Sequence, residues 1–190
     1  MADTPKQHGT EDTPVKKPSL RRWIPWILIL VLALVAFLGW RRFGPHPLQG
    51  KPAPAFSLAS LSGGEVSLAD HLGKDVILLD FWAAWCPPCR KTLPDIAELA
   101  DEYMPKGVAV YTVNLADPPE RVKNLLDSLN IGPPVLMDPE GKAASLYLVR
   151  VIPQIMLIGR NGIVRHVNIG GGTGMKAELK RLLDRELADN

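Results

Sequence analysis

This 190-residue sequence predicts an α/β domain with a central mixed β-sheet flanked by helices and an N-terminal β-hairpin, preceded by one transmembrane helix. Three observations predict it. After residue 53, short apolar runs rich in strand formers alternate with longer stretches of helical period. Two of the last runs flank Asn161-Gly162, a strong hairpin signal, and a final helical pattern follows. Finally, Trp23 to Trp40 is 18 residues without a charge, near the lower limit for crossing a bilayer core. The predicted division is a disordered cytoplasmic tail at 1–22, an anchor at 23–40, a linker at 41–52 and the α/β domain at 53–190.

The tail holds prolines and scattered charges with no apolar period, a composition that cannot bury enough surface to order itself. The anchor is apolar on all faces, unlike a globular helix, and has tryptophans at both ends, as interfacial belts do. A cleaved signal peptide is disfavoured because no small-x-small cleavage site follows the apolar run. Lys6, Lys16, Lys17, Arg21 and Arg22 precede it, against Arg41, Arg42 and Lys51 beyond it. That excess predicts a single-pass cell-membrane protein with its N-terminus in the cytoplasm and its domain outside. Pro45, Pro47 and Pro52 mark the linker as semi-rigid.

In the domain, Phe56–Leu58 and Glu65–Leu68 around Ser62-Gly63-Gly64 read as a hairpin, and Ala69–Leu72 as a short helical turn. Val76–Trp82 is the central buried strand. A helix runs from Cys86 to about Tyr103 and should kink at Pro94. Val108–Leu115 is another buried strand. Asp117-Pro118-Pro119-Glu120 predicts a helix N-terminus, with Asp117 as cap, Pro118 first and Glu120 closing a capping box, ending near Leu129. Val135–Met137 is a short strand and Gly141–Tyr147 a short helix. Val151–Ile158 and Ile163–Val167 form a hairpin with an expected type I′ turn at Asn161-Gly162, and Pro153 must stand at the beginning of its strand. Gly170–Gly174 lacks the Lys-Ser/Thr ending of a phosphate loop. It reads as a flexible connection to a last helix near Met175–Leu187.

A net charge of +2 without a basic and aromatic pattern argues against nucleic acid. Cys86 and Cys89 are the only cysteines, and they sit where the central strand gives way to a helix. Pro87 and Pro88 suit the first helical turn, which makes Cys86 the N-cap. Its sulfur then faces the Cys89 N–H, the first amide free to donate, and the positive end of the helix dipole. Both favour thiolate, the nucleophile of disulfide exchange. Cys86 is therefore expected to attack and Cys89, one turn in, to resolve. Three other readings compete, and the first, a chance C-x-x-C, is disfavoured by its place at a strand-to-helix junction between aromatics and prolines. A structural disulfide across so short a loop gains little unfolded-state entropy. A zinc site needs about four ligands, and His8, His46, His71 and His166 show no ligand spacing.

The run Asp80-Phe-Trp-Ala-Ala-Trp-Cys-Pro-Pro-Cys89, Ile152-Pro153 before a strand and the β-α order resemble thioredoxin-like proteins over roughly residues 53–188. The N-terminal hairpin, the Cys-Pro-Pro-Cys motif and the single anchor are most similar to the TlpA/ResA-like branch of redoxins. That resemblance implies a membrane-tethered, extracytoplasmic (periplasmic) thiol–disulfide oxidoreductase. It would act on protein disulfide or dithiol substrates, with no cofactor or metal beyond the redox-active Cys86–Cys89 disulfide. A membrane electron donor would re-reduce the pair, and cytochrome c maturation is one setting for such reductants.

The resemblance also implies residue roles. Pro153 would be a cis-proline facing the pair, with the Ile152 backbone presented to an extended client segment. Asp80 matches a buried aspartate that takes a proton from the resolving cysteine, here Cys89. Trp85, Pro87 and Pro88 would supply client-facing surface. This chain also departs from the pattern. Thr92 stands where some cytochrome-maturation members have glutamate, Thr112 where thioredoxin has a lysine near its aspartate, and Gln154 where threonine is frequent. Two rival functions are a peroxide-reducing redoxin and a tethered binding or chaperone module without turnover. The peroxidatic pattern P-x-x-x-T-x-x-C would need proline and threonine at Leu79 and Ala83.

Overall fold

The computed structural model describes residues 23–189, with backbone alone at 40–43. The expected tail at 1–22 therefore lies outside the described residues. The chain divides into two units at Gly44/Pro45. The first contains α1, Ile24–Phe43, with Pro25 in its opening turn, where a missing N–H leaves no bond unmade. Its described side chains end at Gly39. Among the described residues, no helix is long and apolar enough to cross a membrane.

The second unit is built on a seven-stranded sheet ordered β2-β1-β5-β4-β3-β6-β7. In chain order these strands are β1 (Ser57–Ser60), β2 (Glu65–Ser67), β3 (Val76–Trp82), β4 (Val108–Leu115), β5 (Val135–Asp138), β6 (Gln154–Ile158) and β7 (Val164–Ile169). β3, β4 and β5 run parallel, while β6 pairs antiparallel with β3, and β1 with β5. The sheet is thus mixed. The helices are α2 (Pro87–Tyr103), α3 (Pro119–Leu129), α4 (Lys142–Leu146) and α5 (Met175–Ala188).

β3 is buried at all seven positions, as a strand covered on both faces must be. Its period of two sorts its side chains. Ile77, Leu79 and Phe81 join Phe56, Ala144 of α4 and Tyr147 on one face. Val76 and Leu78 join Ile96 and Leu99 of α2 and Leu179 and Leu183 of α5 on the other. Each such side chain contributes about 1.5–3 kcal/mol by leaving water. Asp80 and Trp82 continue the second row, so the strand aims a carboxyl toward the α2 side.

The structure departs from the sequence expectations at three places. First, α3 starts at Pro119 with Pro118 as its cap residue and no side-chain cap bond. The expected capping box of Asp117 and Glu120 does not form, because the Asp117 carboxylate is bonded elsewhere. Second, the β6–β7 connection is wider than a type I′ turn. Gly162 N–H donates to Gly159 C=O (2.8 Å) and Gly159 N–H to Ile163 C=O (2.9 Å). Among residues of the connection only Gly162 has positive φ, +76°. This is a type I turn closed by a left-handed glycine.

Third, the end of the expected linker lies on the domain. Gly50 N–H donates to Val164 C=O (2.8 Å), Val164 N–H to Lys51 C=O (2.9 Å) and Ala53 N–H to Gly162 C=O (2.8 Å). Leu48 and Ala53 add apolar contacts to the core. Residues 45–52 are proline-rich yet fastened, because their free amides find a strand edge.

Candidate active site

α2 begins at the C-terminal end of β3, where parallel strands place ligands and reacting groups. Cys86 is its N-cap and accepts the Cys89 N–H on Sγ at 3.3 Å. Pro87 and Pro88 occupy the next two positions, so no other amide competes at that point. The sulfurs are joined, with S–S at 2.05 Å. Cys89 is fully buried and Cys86 is 3% exposed. The helix continues through Pro94 to Tyr103.

The Ile152–Pro153 peptide is cis, and the Ile152 carbonyl oxygen lies 3.8 Å from Cys86 Sγ. A disulfide sulfur has no hydrogen, so in this state the approach is a contact; a Cys86 thiol at that position could donate. Ile152 is half-buried and Pro153 buried, while Pro87 and Pro88 are exposed. Trp85 stands 62% exposed beside the pair. Cys86, Cys89, Trp85, Pro87, Pro88, Ile152 and Pro153 thus gather at one end of the sheet.

Asp80 lies behind this surface, with no exposure at all. Neither carboxylate oxygen has a hydrogen-bond partner among the described residues, nor does the buried Trp82 indole N–H two residues on. Burial alone pushes the Asp80 carboxyl up from 3.8 to about 7. Thr112 is its register neighbour on β4 and carries no charge to hold the carboxylate. The Thr112 hydroxyl donates to Pro134 C=O instead. A carboxyl with its midpoint near neutrality can take and release a proton during turnover.

The departures Thr92 and Gln154 are both buried. Thr92 Oγ1 donates to Cys89 C=O at 3.0 Å, and Gln154 Nε2 to Tyr147 C=O at 3.4 Å. Arg90 and Lys91 are exposed on the first turns of α2. Among the described residues, no group of three or more His, Cys, Asp or Glu side chains is placed to hold a metal ion.

Two features of the site escape a sequence reading. The glycine stretch read as a mere connection forms a wall of the site. Gly170 N–H donates to Pro153 C=O at 2.7 Å. A Cβ at Gly171 would come within 2.5 Å of Thr92 Cγ2 and 3.9 Å of Pro153 Cγ, so only glycine allows this approach. The other feature is the loop before α3. Ala116 is held at φ +61°, a conformation that costs a non-glycine residue about 1–2 kcal/mol. It is exposed, so glycine there loses no packing. Ala116→Gly should stabilise the chain by up to about 1 kcal/mol in urea unfolding, strain relief exceeding glycine's entropy cost. An unchanged midpoint would mean the strain is absent.

The sequence matches the family model described as AhpC/TSA family over residues 49–167. It is similar to the thioredoxin-like protein YneN of Bacillus subtilis strain 168, 35% identical over 174 residues, or 87% of this chain and 98% of that one. It is 32% identical over 161 residues to the thiol-disulfide oxidoreductase ResA of Geobacillus thermodenitrificans strain NG80-2, covering 83% of this chain and 91% of that one. Among solved structures, a thioredoxin-family thiol:disulfide interchange protein from Chlorobium tepidum TLS superposes with a TM-score of 0.63 at 29% identity. That match covers 73% of this chain and 97% of the other.

Proposed function

This chain belongs to the AhpC/TSA redoxin family as a ResA/YneN-like thiol–disulfide oxidoreductase, and from that premise we propose that it reduces disulfides in protein clients outside the cytoplasm. The observation that carries the reaction is the Cys86 sulfur at the start of α2, bonded to Cys89 N–H and touching the Ile152 carbonyl beside exposed Trp85. Cys86 thiolate attacks a client sulfur and expels the other as thiolate. Cys89 then attacks Cys86 Sγ, releasing the second client thiolate and closing the Cys86–Cys89 disulfide. The client gains two electrons and the pair loses them. Asp80 takes the Cys89 proton in the second step. Trp85, Pro87, Pro88 and the Ile152–Pro153 backbone receive the client segment.

The uncharged run Trp23–Trp40 and the cationic excess before it support a single-pass anchor with the domain on the extracytoplasmic, periplasmic side. An electron donor in that membrane would re-reduce the pair. Cytochrome c maturation is one setting for such a reductant; Thr92, in place of an acid, argues for a broader or different client. Peroxide reduction is disfavoured within the same family, because Leu79 is core and Ala83 brings no hydroxyl before Cys86. A binding module without turnover would not need a carboxyl poised behind the cysteines.

The deciding measurement is the reduction potential of the pair in the full chain in detergent. A value near thioredoxin's, roughly −270 mV, is expected; one near −120 mV would make the protein an oxidant and overturn the direction proposed. In intact cells, a membrane-impermeant thiol reagent should label reduced Cys86. Labelling only after lysis would place the domain inside.

A further inference from the structure

The loop between β4 and α3 contains a polar cluster that the exchange chemistry leaves unused. The Asp117 side chain is 3% exposed. Its Oδ2 accepts the Ala84 backbone N–H at 2.5 Å, across 33 residues of sequence, and the Asn114 side-chain amide at 3.0 Å. Asn114 Oδ1 in turn accepts the Asp117 N–H at 3.3 Å, so the carboxylate is clamped from its own backbone. Arg121 Nε stands 3.8 Å from Oδ1. The residue before it, Ala116, is the one held in the left-handed region. The carboxylate thus reaches the Ala84 N–H while the buried Asn114 amide holds the carboxylate.

That N–H belongs to the turn that carries the reactive sulfur. Cys86 N–H donates to Ala83 C=O at 3.1 Å, and Ala84 is the next residue, so Asp117 fastens the turn from outside while it closes on itself. Trp85 is presented from the same turn. In the oxidised protein the Cys86–Cys89 bond also holds this turn to α2. On reduction that bond is gone, while the Ala84 N–H bond to Asp117 and the Arg90 N–H bond to Cys86 C=O at 3.1 Å remain.

We propose that Asp117 is a positioning residue that keeps the Ala83–Trp85 turn in place in the dithiol state, so that the Cys86 sulfur stays over the Cys89 N–H and the start of α2. The proposal rests on the cysteine pair being the working site and is independent of the direction of electron flow. A charge-assisted bond to a buried backbone N–H is among the stronger single interactions in a protein. In the dithiol it keeps the Cys86 sulfur over the Cys89 N–H, which stabilises the thiolate and with it the reduced state. Losing it should therefore disfavour the dithiol relative to the disulfide and leave the Cys86 thiolate less well stabilised.

The test uses the full chain in detergent, equilibrated in glutathione buffers, with the pH dependence of Cys86 alkylation by iodoacetamide as a second readout; Cys89 is buried from the reagent. Asp117→Ala should move the dithiol–disulfide equilibrium about tenfold toward disulfide, about 30 mV more negative for a two-electron couple, and raise the alkylation midpoint. Asp117→Asn keeps a neutral acceptor oxygen for Ala84 N–H and should return both readouts part of the way, since a bond to a neutral acceptor is weaker. If Asp117→Ala does not fold, Asn114→Ala, which unclamps the carboxylate, should shift both in the same direction. Wild-type equilibrium and midpoint in the folded variant overturn the proposal, even if unfolding becomes easier. Failure of asparagine to rescue overturns it too, since the effect would then be one of charge.

Discussion

Asp80→Asn should make the oxidised protein more stable by about 4 kcal/mol at pH 8 and by almost nothing at pH 3. The carboxyl midpoint is raised by burial from 3.8 to about 7, about three units at 1.36 kcal/mol each. Below pH ~4 the group is protonated in folded and unfolded chains alike, and burial costs no ionisation. As pH rises toward 7 the unfolded chain releases its proton while the folded chain retains it, so stability falls. Above 7 the full cost is present, and asparagine removes it. Urea unfolding across this range is the measurement, and parallel curves for the two proteins would contradict the burial account. The same substitution removes the proton acceptor for Cys89. Turnover in insulin reduction should drop by about 10²–10⁴-fold, and the inflection near pH 7 should vanish. A more stable but much slower enzyme is the expected signature.

Cys89→Ser should trap clients. Cys86 remains at the α2 N-terminus and still attacks, but nothing can then attack its sulfur, so a stoichiometric Cys86–client mixed disulfide accumulates and insulin reduction falls to background. Cys86→Ser should also lose turnover while capturing nothing, because Cys89 is fully buried and thiolate access decides reactivity. Non-reducing electrophoresis with a disulfide-bearing client separates the outcomes. Equal capture by both variants would reverse the attacking and resolving roles. Capture by neither, with client binding intact, would favour a tethered binding module.

The element order and the cysteine site were legible because both are local. A continuous apolar run marks β3, and Pro87-Pro88 after Cys86 marks the start of α2. Asp80 could be placed in a strand, but not described as unpartnered, since that depends on Thr112 and Ile155 arriving beside it from distant parts of the chain. The capping-box pattern at Asp117 misleads for the same reason. Its local pattern is sound, but Ala84 N–H, 33 residues away, claims the carboxylate, and α3 starts one residue later. Gly171 likewise looks like slack until Thr92 and Pro153 close against it. The Asn161-Gly162 pair does not by itself specify the turn, because Gly159 joins the connection and widens it.

The segment laid along β7 also bears on solubility. β7 ends the sheet, and an open strand edge offers unpaired N–H and C=O groups to any other chain. Gly50 and Lys51 occupy both backbone groups of Val164, and Ala53 holds the adjoining turn. A shortened protein beginning after Ala53 would free the Val164 end of that edge and invite strand-to-strand self-association there. The natural cut for a soluble fragment is therefore at Pro45, where the proline-rich stretch begins to act as the sheet's hem.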